Sequence, residues 1–197
     1  MPTGIALRDA RQVLFDAAER VLLDGGVSAL TSRAVTDEAG VAKGVMHRHF
    51  ADFDTFLTEL VLDRATRLNA QAAALRGAAG TATVADNLTD TLTNLLRPLT
   101  VAIVALVISR DGLRARLRQA GAARIPLLAE GTAMIAAYLA AERDLARIPA
   151  EADIETLAPT LIGAAHLLFT DRDSRPPDAA AVHKIVTTIM SGSTSRL

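Results

Sequence analysis

The sequence contains no cysteine, which excludes disulfide bonds and any metal site that uses thiolate ligands. It also contains no tryptophan, and its only aromatic residues are five phenylalanines and one tyrosine. A hydrophobic core must therefore consist mainly of leucine, valine, isoleucine and alanine. Apolar residues still make up 50% of the 197 residues, which excludes extensive disorder.

Long hydrophobic runs are missing as well. The longest apolar stretch, residues 99–108, is far shorter than the roughly 20 residues that a membrane-spanning helix needs. The first residues show no basic region followed by a long apolar stretch, so a signal peptide is not expected. We therefore expect a soluble, cytoplasmic protein with no membrane partner. The net charge of −1 argues neither for nor against binding to nucleic acid.

Hydrophobic residues recur at helical intervals wherever a period is clear, and no stretch alternates with the period of two that is typical of β-strands. The sequence therefore predicts an all-α fold. The first helix ends at Gly25-Gly26, because glycine is common just after helix C-termini. A later apolar stripe from Leu88 to Ile103 predicts one helix that Pro98 kinks without ending it.

A compact turn follows the first helix. Thr31 can cap a short helix through its hydroxyl, and Val35 and Ala39 lie four residues apart on the inner face of that helix. Gly40 then permits a left-handed backbone and thus a sharp turn, and Val41 follows as an apolar plug for the corner. This spacing is typical of a helix-turn-helix.

The helix after the turn separates its residues by face. Met46 and Phe50 lie four residues apart and should anchor this helix on the one before it. Gly44, Val45 and Arg48 then point away from the core. Such a face suits the major groove of DNA, because glycine permits close approach, valine can touch a thymine methyl group and arginine can pair with guanine.

Phosphate contacts are expected beside this face. Arg33 and the N-terminal amides of its helix would hold a phosphate, and Lys43 and His47 flank the outward face. Residues 1–50 carry six basic and six acidic side chains, so we expect charges of opposite sign to lie on different faces. The predicted DNA-contacting residues are Thr31, Ser32, Arg33, Lys43, Gly44, Val45, His47, Arg48 and His49.

The segment resembles the helix-turn-helix of the TetR/AcrR family of bacterial transcriptional regulators. The residues that match the family pattern are Thr31, Val35, Ala39, Gly40, Val41, Gly44, His49 and Phe50. With the flanking helices, the close resemblance covers about residues 8–65. It implies a three-helix DNA-binding domain over residues 1–52, with the motif at about 32–51, and a helical domain for effector binding and dimerisation over residues 53–197.

The resemblance also implies a mechanism. We expect a homodimer that places two recognition helices in successive major grooves of a palindromic operator. The last two helices, about residues 153–170 and 178–190, would form the dimer surface, where Gly163, Ala164 and Ala165 allow close helix approach. Most members of this family are repressors. We expect a small, largely apolar effector to bind the protein and release it from the operator.

Three residues depart from the family pattern. His47 stands where a phosphate-contacting tyrosine is usual, and it would gain charge near pH 6 to 7. Ala42 replaces the usual serine cap of the recognition helix, which costs about 1 kcal/mol of capping. Phe53 stands where a phosphate-contacting lysine is common, so one salt-dependent contact with DNA is lost.

The effector site is predicted from the apolar residues of the second domain. The predicted effector-contacting residues are Leu92, Leu96, Leu99, Ile103, Tyr138 and His166, the first four of them on the kinked helix. His166 has a second interpretation, as a histidine of the core or of the dimer interface. The four leucine and isoleucine residues could equally be ordinary core.

Two functions from other classes stay open. One is a helical small-molecule-binding protein whose turn motif is only a structural corner, and the other is a cofactor-free enzyme with a cavity around His166. The sequence shows no nucleophile motif, phosphate loop or paired-carboxylate signature, so we do not expect an enzyme or a cofactor. His47 and His49 are two residues apart and do not share a helix face, so no metal site is expected.

Overall fold

The computed structural model describes residues 7–123, 125–170 and 177–192. These residues form ten α-helices and no β-strand, which confirms the predicted all-α fold. The helices are α1 (Leu7–Ala29), α2 (Ser32–Glu38), α3 (Lys43–His49), α4 (Phe53–Gly77), α5 (Val84–Leu95), α6 (Pro98–Ser109), α7 (Asp111–Gln119), α8 (Leu128–Asp144), α9 (Ile154–Phe169) and α10 (Ala179–Gly192).

The chain folds into two compact units. The first combines Met1–Asp63 with Ala102–Ile125, and the second combines Arg64–Val101 with Pro126–Leu197. Helices α4 and α6 therefore each give one part to either unit. This division follows compactness and not function, so the assignment of residues 1–52 to DNA binding stays a prediction.

The first unit is built around phenylalanine. The ring of Phe15 on α1 lies 5.8 Å from that of Phe50, which follows α3, and 5.5 Å from that of Phe56 on α4. Phe50 and Phe56 meet edge to face at 5.0 Å, and Phe53 stacks on Phe56 at 5.6 Å. These arrangements are favourable for aromatic pairs and add to the burial of apolar area. The cluster joins three helices around the end of α3.

The backbone of α1 agrees with the predicted stop at Gly25-Gly26. Helix α1 reaches Ala29 only across a break at Gly26, whose φ is 70° and whose ψ is −170°. Only glycine adopts this backbone without strain. The chain thereby changes direction just before Leu30, which is fully buried.

The second unit is a set of packed helices. Helix α5 packs on α10 and α8, and α9 packs on α8 and α10. Leu88 and Leu92 of α5 are fully buried. Gly131 of α8 permits a close crossing, because a Cβ atom there would lie 2.6 Å from Leu95 and 3.2 Å from Ile162.

The prediction of one helix from Leu88 to Ile103 was wrong. Helix α5 ends at Leu95 and α6 begins at Pro98, with a bend of 62° between them. Proline fits the first position of a helix, where its missing N–H costs nothing, and it disfavours helical backbone in the preceding residue. Among the described residues no single helix is long and apolar enough to span a membrane. Only α5 and α6 taken together have that length and apolar character, and they are bent relative to each other.

One carboxylate is fully buried in the second unit. Glu142 of α8 has no exposed surface, and its Oε2 lies 3.2 Å from Nη1 of Arg147. The backbone N–H of Gly80 donates to the same carboxylate at 3.3 Å. The hydroxyl oxygen of Tyr138 accepts a hydrogen bond from the side-chain amide of Asn87 at 3.0 Å. Burial, and then the nearby carboxylate of Glu142, raise the pKa of this hydroxyl. This network fixes α8 to the segment before α5.

The ion pair of the buried Glu142 carboxylate with Arg147 should contribute to the stability of the fold. Arg147→Ala leaves the carboxylate of Glu142 buried without its cation, so we expect the free energy of unfolding to fall by about 2 kcal/mol in urea titrations. Arg143→Ala is the matched control, because Arg143 lies next to Glu142 on α8 and makes no ion pair with any described residue. Equal midpoints for the two variants would contradict the role of the pair.

Candidate DNA-reading site

Helices α2 and α3 form the predicted helix-turn-helix. The Oγ1 of Thr31 accepts from the backbone N–H of Ala34 at 3.1 Å, which confirms Thr31 as the cap of α2. Gly40 has a φ of +65°, as the sharp turn requires, and Val41 beside it is half-buried. Ala42 provides no side-chain cap for α3, as the sequence predicts.

Two apolar side chains fix α3 from its inner side. Met46 is 1% exposed and Phe50 is 3% exposed, which confirms both as anchors. The hydroxyl of Ser32 on α2 donates to the Sδ of Met46 at 3.1 Å. Ser32 therefore faces α3, while Val35 closes the inner side of α2 without any exposed surface.

The opposite side of α3 is open. Lys43, Gly44, His47 and Arg48 are all exposed, and we call these four residues the reading face. Residues four apart on a helix share a side, so Lys43 lies beside His47 and Gly44 beside Arg48. Neither Lys43 nor Arg48 makes a hydrogen bond or ion pair with any described residue. The face thus presents two free cations on either side of a gap at Gly44.

The remaining predicted DNA contacts lie around this face. Thr31 and Arg33 are exposed at the start of α2, and Arg33 makes a weak pair with Asp37 at 3.5 Å on the surface. Val45 and His49 are half-buried. Val45 therefore points outward less than the sequence predicts, and His49 lies closer to the core than the reading face. All nine predicted residues belong to one helix-turn-helix, and whether they contact DNA stays a prediction.

Sequence reasoning missed three arginines that support the motif. Arg11 of α1 pairs with Glu59 of α4, and its guanidinium lies 4.6 Å from the ring centroid of Phe50. Arg110 and Arg116, at the start of α7 and within it, bind both ends of the motif. The contacts of Arg116 with α4 span more than 60 residues of sequence, so no local pattern could have revealed them.

The predicted effector residues do not share one helix. Leu92 lies on α5, Leu96 lies in the break before α6, Leu99 and Ile103 lie on α6, Tyr138 lies on α8, and His166 lies on α9. All are buried except Leu99 and His166, which are half-buried. Tyr138 is already bound to side chains of the protein. Burial lowers the pKa of His166, whose Nδ1 has no hydrogen-bond partner among the described residues.

A concavity of about 190 Å³ opens beside α5 in the second unit. Leu75, Leu95 and Met134 give it an apolar wall. Polar groups line its rim, from Gln71, Asp90, Thr91 and Asn94. None of the six predicted effector residues lines it, so their role stays a prediction.

The helix-turn-helix and its flanking helices are similar to those of a known family. The model of the family described as "Bacterial regulatory proteins, tetR family" matches residues 14–60. Residues 14–60 are therefore similar to the N-terminal domain of the TetR family. The match runs from α1 through the helix-turn-helix into α4, so it includes every predicted DNA-contacting residue. The match to this DNA-binding domain supports a DNA-binding transcriptional regulator.

Solved structures of TetR-like regulators share the fold over nearly the whole chain. A putative TetR-family regulator from Mesorhizobium loti is 14% identical, with a TM-score of 0.69 and 96% of each chain covered. FadR from Bacillus subtilis, in complex with stearoyl-CoA, is 16% identical, with a TM-score of 0.71 and 92% of this chain and 98% of FadR covered. A family member from Streptomyces coelicolor is 24% identical, with a TM-score of 0.63 and coverages of 92% and 98%. No curated protein matches the sequence.

The turn makes a prediction that is independent of DNA. Gly40→Ala places a Cβ atom on a residue with positive φ, which costs about 1 kcal/mol of stability. We expect a lower melting temperature in circular dichroism. Gly44→Ala is the matched control, since Gly44 has helical backbone and open space around the added methyl group. A Gly40→Ala variant as stable as the control would show that the turn does not depend on glycine.

Proposed function

We propose that the protein is a repressor that binds a palindromic operator as a homodimer and leaves it when a small, largely apolar effector binds. The reading face carries this proposal, because its lysine and arginine are exposed and unpaired on a helix anchored from behind. Arg48 would pair with a base edge, and Lys43 and His47 would contact phosphates on either side. Arg33 and Thr31, at the start of α2, would contact the same backbone.

Gly44 has a specific role in this proposal. A Cβ atom at this position would meet nothing within 4 Å in the free protein, so the protein's own packing gives no reason for glycine there. Alanine would also be the better helix former. The missing side chain is explained if DNA approaches the backbone of α3 at this point.

The dimer surface is proposed on α9 and α10, over about residues 153–170 and 178–190. Leu167 of α9 is 74% exposed, and an exposed leucine on an otherwise apolar helix is typical of an interface. Gly163, one turn earlier, faces open space, which leaves room for a second helix. Half-buried Ile185 and Ile189 on α10 extend the apolar surface.

The effector is proposed to occupy the second domain near α5. FadR, which shares this fold, was solved with stearoyl-CoA, a ligand with a long apolar chain. The apolar concavity at Leu75, Leu95 and Met134 offers an opening of suitable chemistry. Leu92 and Leu96, which are buried, would line a larger site once α5 moves. A 100-fold preference of the effector for the released state corresponds to about 2.7 kcal/mol.

DNA binding is tested with the strongest duplex selected from a random library by the wild-type protein. We expect tight, salt-sensitive binding in fluorescence anisotropy, because counterions leave the phosphates. Arg48→Ala should weaken it by about 1–3 kcal/mol and relax preference at one base position. Gly44→Ala should weaken it while leaving the melting temperature equal or slightly higher.

Arg143→Ala serves as the control for loss of one positive charge away from the motif. It should bind the selected duplex like the wild type. If the folded wild type selects no sequence from the library, the motif is only a structural corner. An Arg48→Ala variant with unchanged preference would remove Arg48 from base recognition.

The dimer surface is tested by Leu167→Glu. Because Leu167 is exposed in the single chain, the substitution should leave the fold intact and convert a dimer into a monomer in light scattering. Leu145→Glu is the matched control, since Leu145 is 54% exposed and lies outside α9 and α10. A Leu167→Glu variant that stays dimeric would move the interface elsewhere.

A further inference from the structure

Both ends of the helix-turn-helix are held by arginines from one short segment. The first end is Leu30, the residue before the cap of α2. Nη2 of Arg110, at the start of α7, donates to the backbone carbonyl of Leu30 at 3.2 Å. The same guanidinium lies 5.9 Å from the ring centroid of Phe53, the first residue of α4. Arg110 thus contacts the entry to the motif and the helix that follows it.

The second end is the start of α4, directly after α3. Nη2 of Arg116 lies 2.9 Å from Oδ2 of Asp52, and its Nη1 donates to Oγ1 of Thr55 at 3.0 Å. Asp52 also accepts from the backbone N–H of Thr55 at 2.6 Å, so it caps α4 and pairs with α7 at once. Asp54 lies 4.0 Å from the same guanidinium. Two hydrogen bonds from the side chain of Arg116 therefore fix the exit from the motif.

These contacts contribute little to global stability. Asp52 and Arg116 are 49% and 39% exposed, and an ion pair that is this exposed to solvent stabilises a fold only weakly. These contacts instead fix the position of the groups they join, because a guanidinium that binds two fixed acceptors can take only one orientation. Residues 110 and 116 are separated by about 9 Å of helix rise, so a shift of α7 moves both ends together.

The pair is charged throughout the neutral range. Hydrogen bonds from Thr55, and then the bond from Arg116, lower the pKa of Asp52 to about 2. Its stabilising effect is complete above its ordinary pKa and is lost only as the pH falls through about 2. The contact therefore responds to salt and to movement of α7, and not to physiological changes of pH.

We propose that Arg110 and Arg116 are positioning residues that hold α2 and α3 in the geometry for DNA reading. This rests on the proposed function, because it deepens the account of the same reading face. Neither arginine touches DNA in this proposal. Because both arginines come from α7 and the residue before it, a displacement of α7 would release the entry and the exit of the motif together.

The test compares Arg110→Gln and Arg116→Gln with Arg118→Gln in the full chain. Arg118 lies on the same helix, is exposed and binds no described residue, so its variant loses the same charge without the contact. Asp52→Asn removes the charge of the pair but keeps a side chain that caps α4. Arg116→Lys keeps the charge and loses the second bond.

The first measurement needs no DNA. Hydrogen exchange of the backbone amides in residues 31–50 should be faster in Arg110→Gln and Arg116→Gln than in the wild type. Exchange in α9, in the second unit, should be unchanged, and Arg118→Gln should match the wild type everywhere. Unchanged exchange in residues 31–50 of both variants would overturn the proposal.

The second measurement is anisotropy with the duplex selected by the wild type. We expect Arg110→Gln and Arg116→Gln to bind at least about fivefold more weakly, Arg116→Lys to recover part of the loss, and Arg118→Gln to stay within about twofold. The double variant Asp52→Asn/Arg116→Gln should bind the duplex no more weakly than Arg116→Gln alone. Both variants lose the same contact, the one between Asp52 and Arg116.

The outcomes separate this proposal from the proposed function. Faster exchange together with unchanged affinity would overturn the positioning role while leaving DNA binding intact. If Arg118→Gln lost as much affinity for the duplex as Arg110→Gln and Arg116→Gln, the positioning role would also be overturned, because the loss of one positive charge would explain the weaker binding. A wild type that selects no duplex would overturn the proposed function and, with it, the role in DNA reading, whatever the exchange shows.

Discussion

The packing of Phe15, Phe50 and Phe56 is the contact on which the reading helix depends. Helix α3 has only seven residues, and a helix that short is not stable in water without tertiary contacts. Its outer side must stay free of apolar groups, so its stability comes from Met46 and from Phe50 at its end. Four of the protein's five phenylalanines, Phe53 included, lie in this one cluster.

Charge in the helix-turn-helix region is organised by pairing and not by excess. Arg11 pairs with Glu59, and Arg20 lies 2.5 Å from Glu38, so these arginines and acids hold helices together. What remains exposed and unpaired includes Lys43 and Arg48 on α3. A region with no net charge can thus present a cationic face. This explains why the composition of residues 1–50 gave no sign of DNA binding.

The second unit combines a dense core with one unusual polar network. Leu92, Leu96 and Tyr138 are fully buried, so the protein's own side chains fill the region predicted for an effector. Glu142 and Arg147 bind the segment before α5 to α8. A ligand that displaced α5 would act on a helix already tied to this network.

The local features of the structure could be predicted from the order of residues alone. Thr31 as a cap, the left-handed Gly40 and the anchors Met46 and Phe50 could all be predicted, because each depends on residues a few positions away. Turn chemistry and helical period are local properties of the chain.

The long-range features depend on how the helices pack. Pro98 begins a new helix instead of kinking one, because the packing of α5 and the direction of α6 settle which of two allowed roles a proline takes. The hydrogen bonds from Arg110 and Arg116 to the motif join residues that are 61 to 80 positions apart in the sequence. A single sequence carries no record of such pairs, since an exposed arginine has the same local pattern with or without a distant partner.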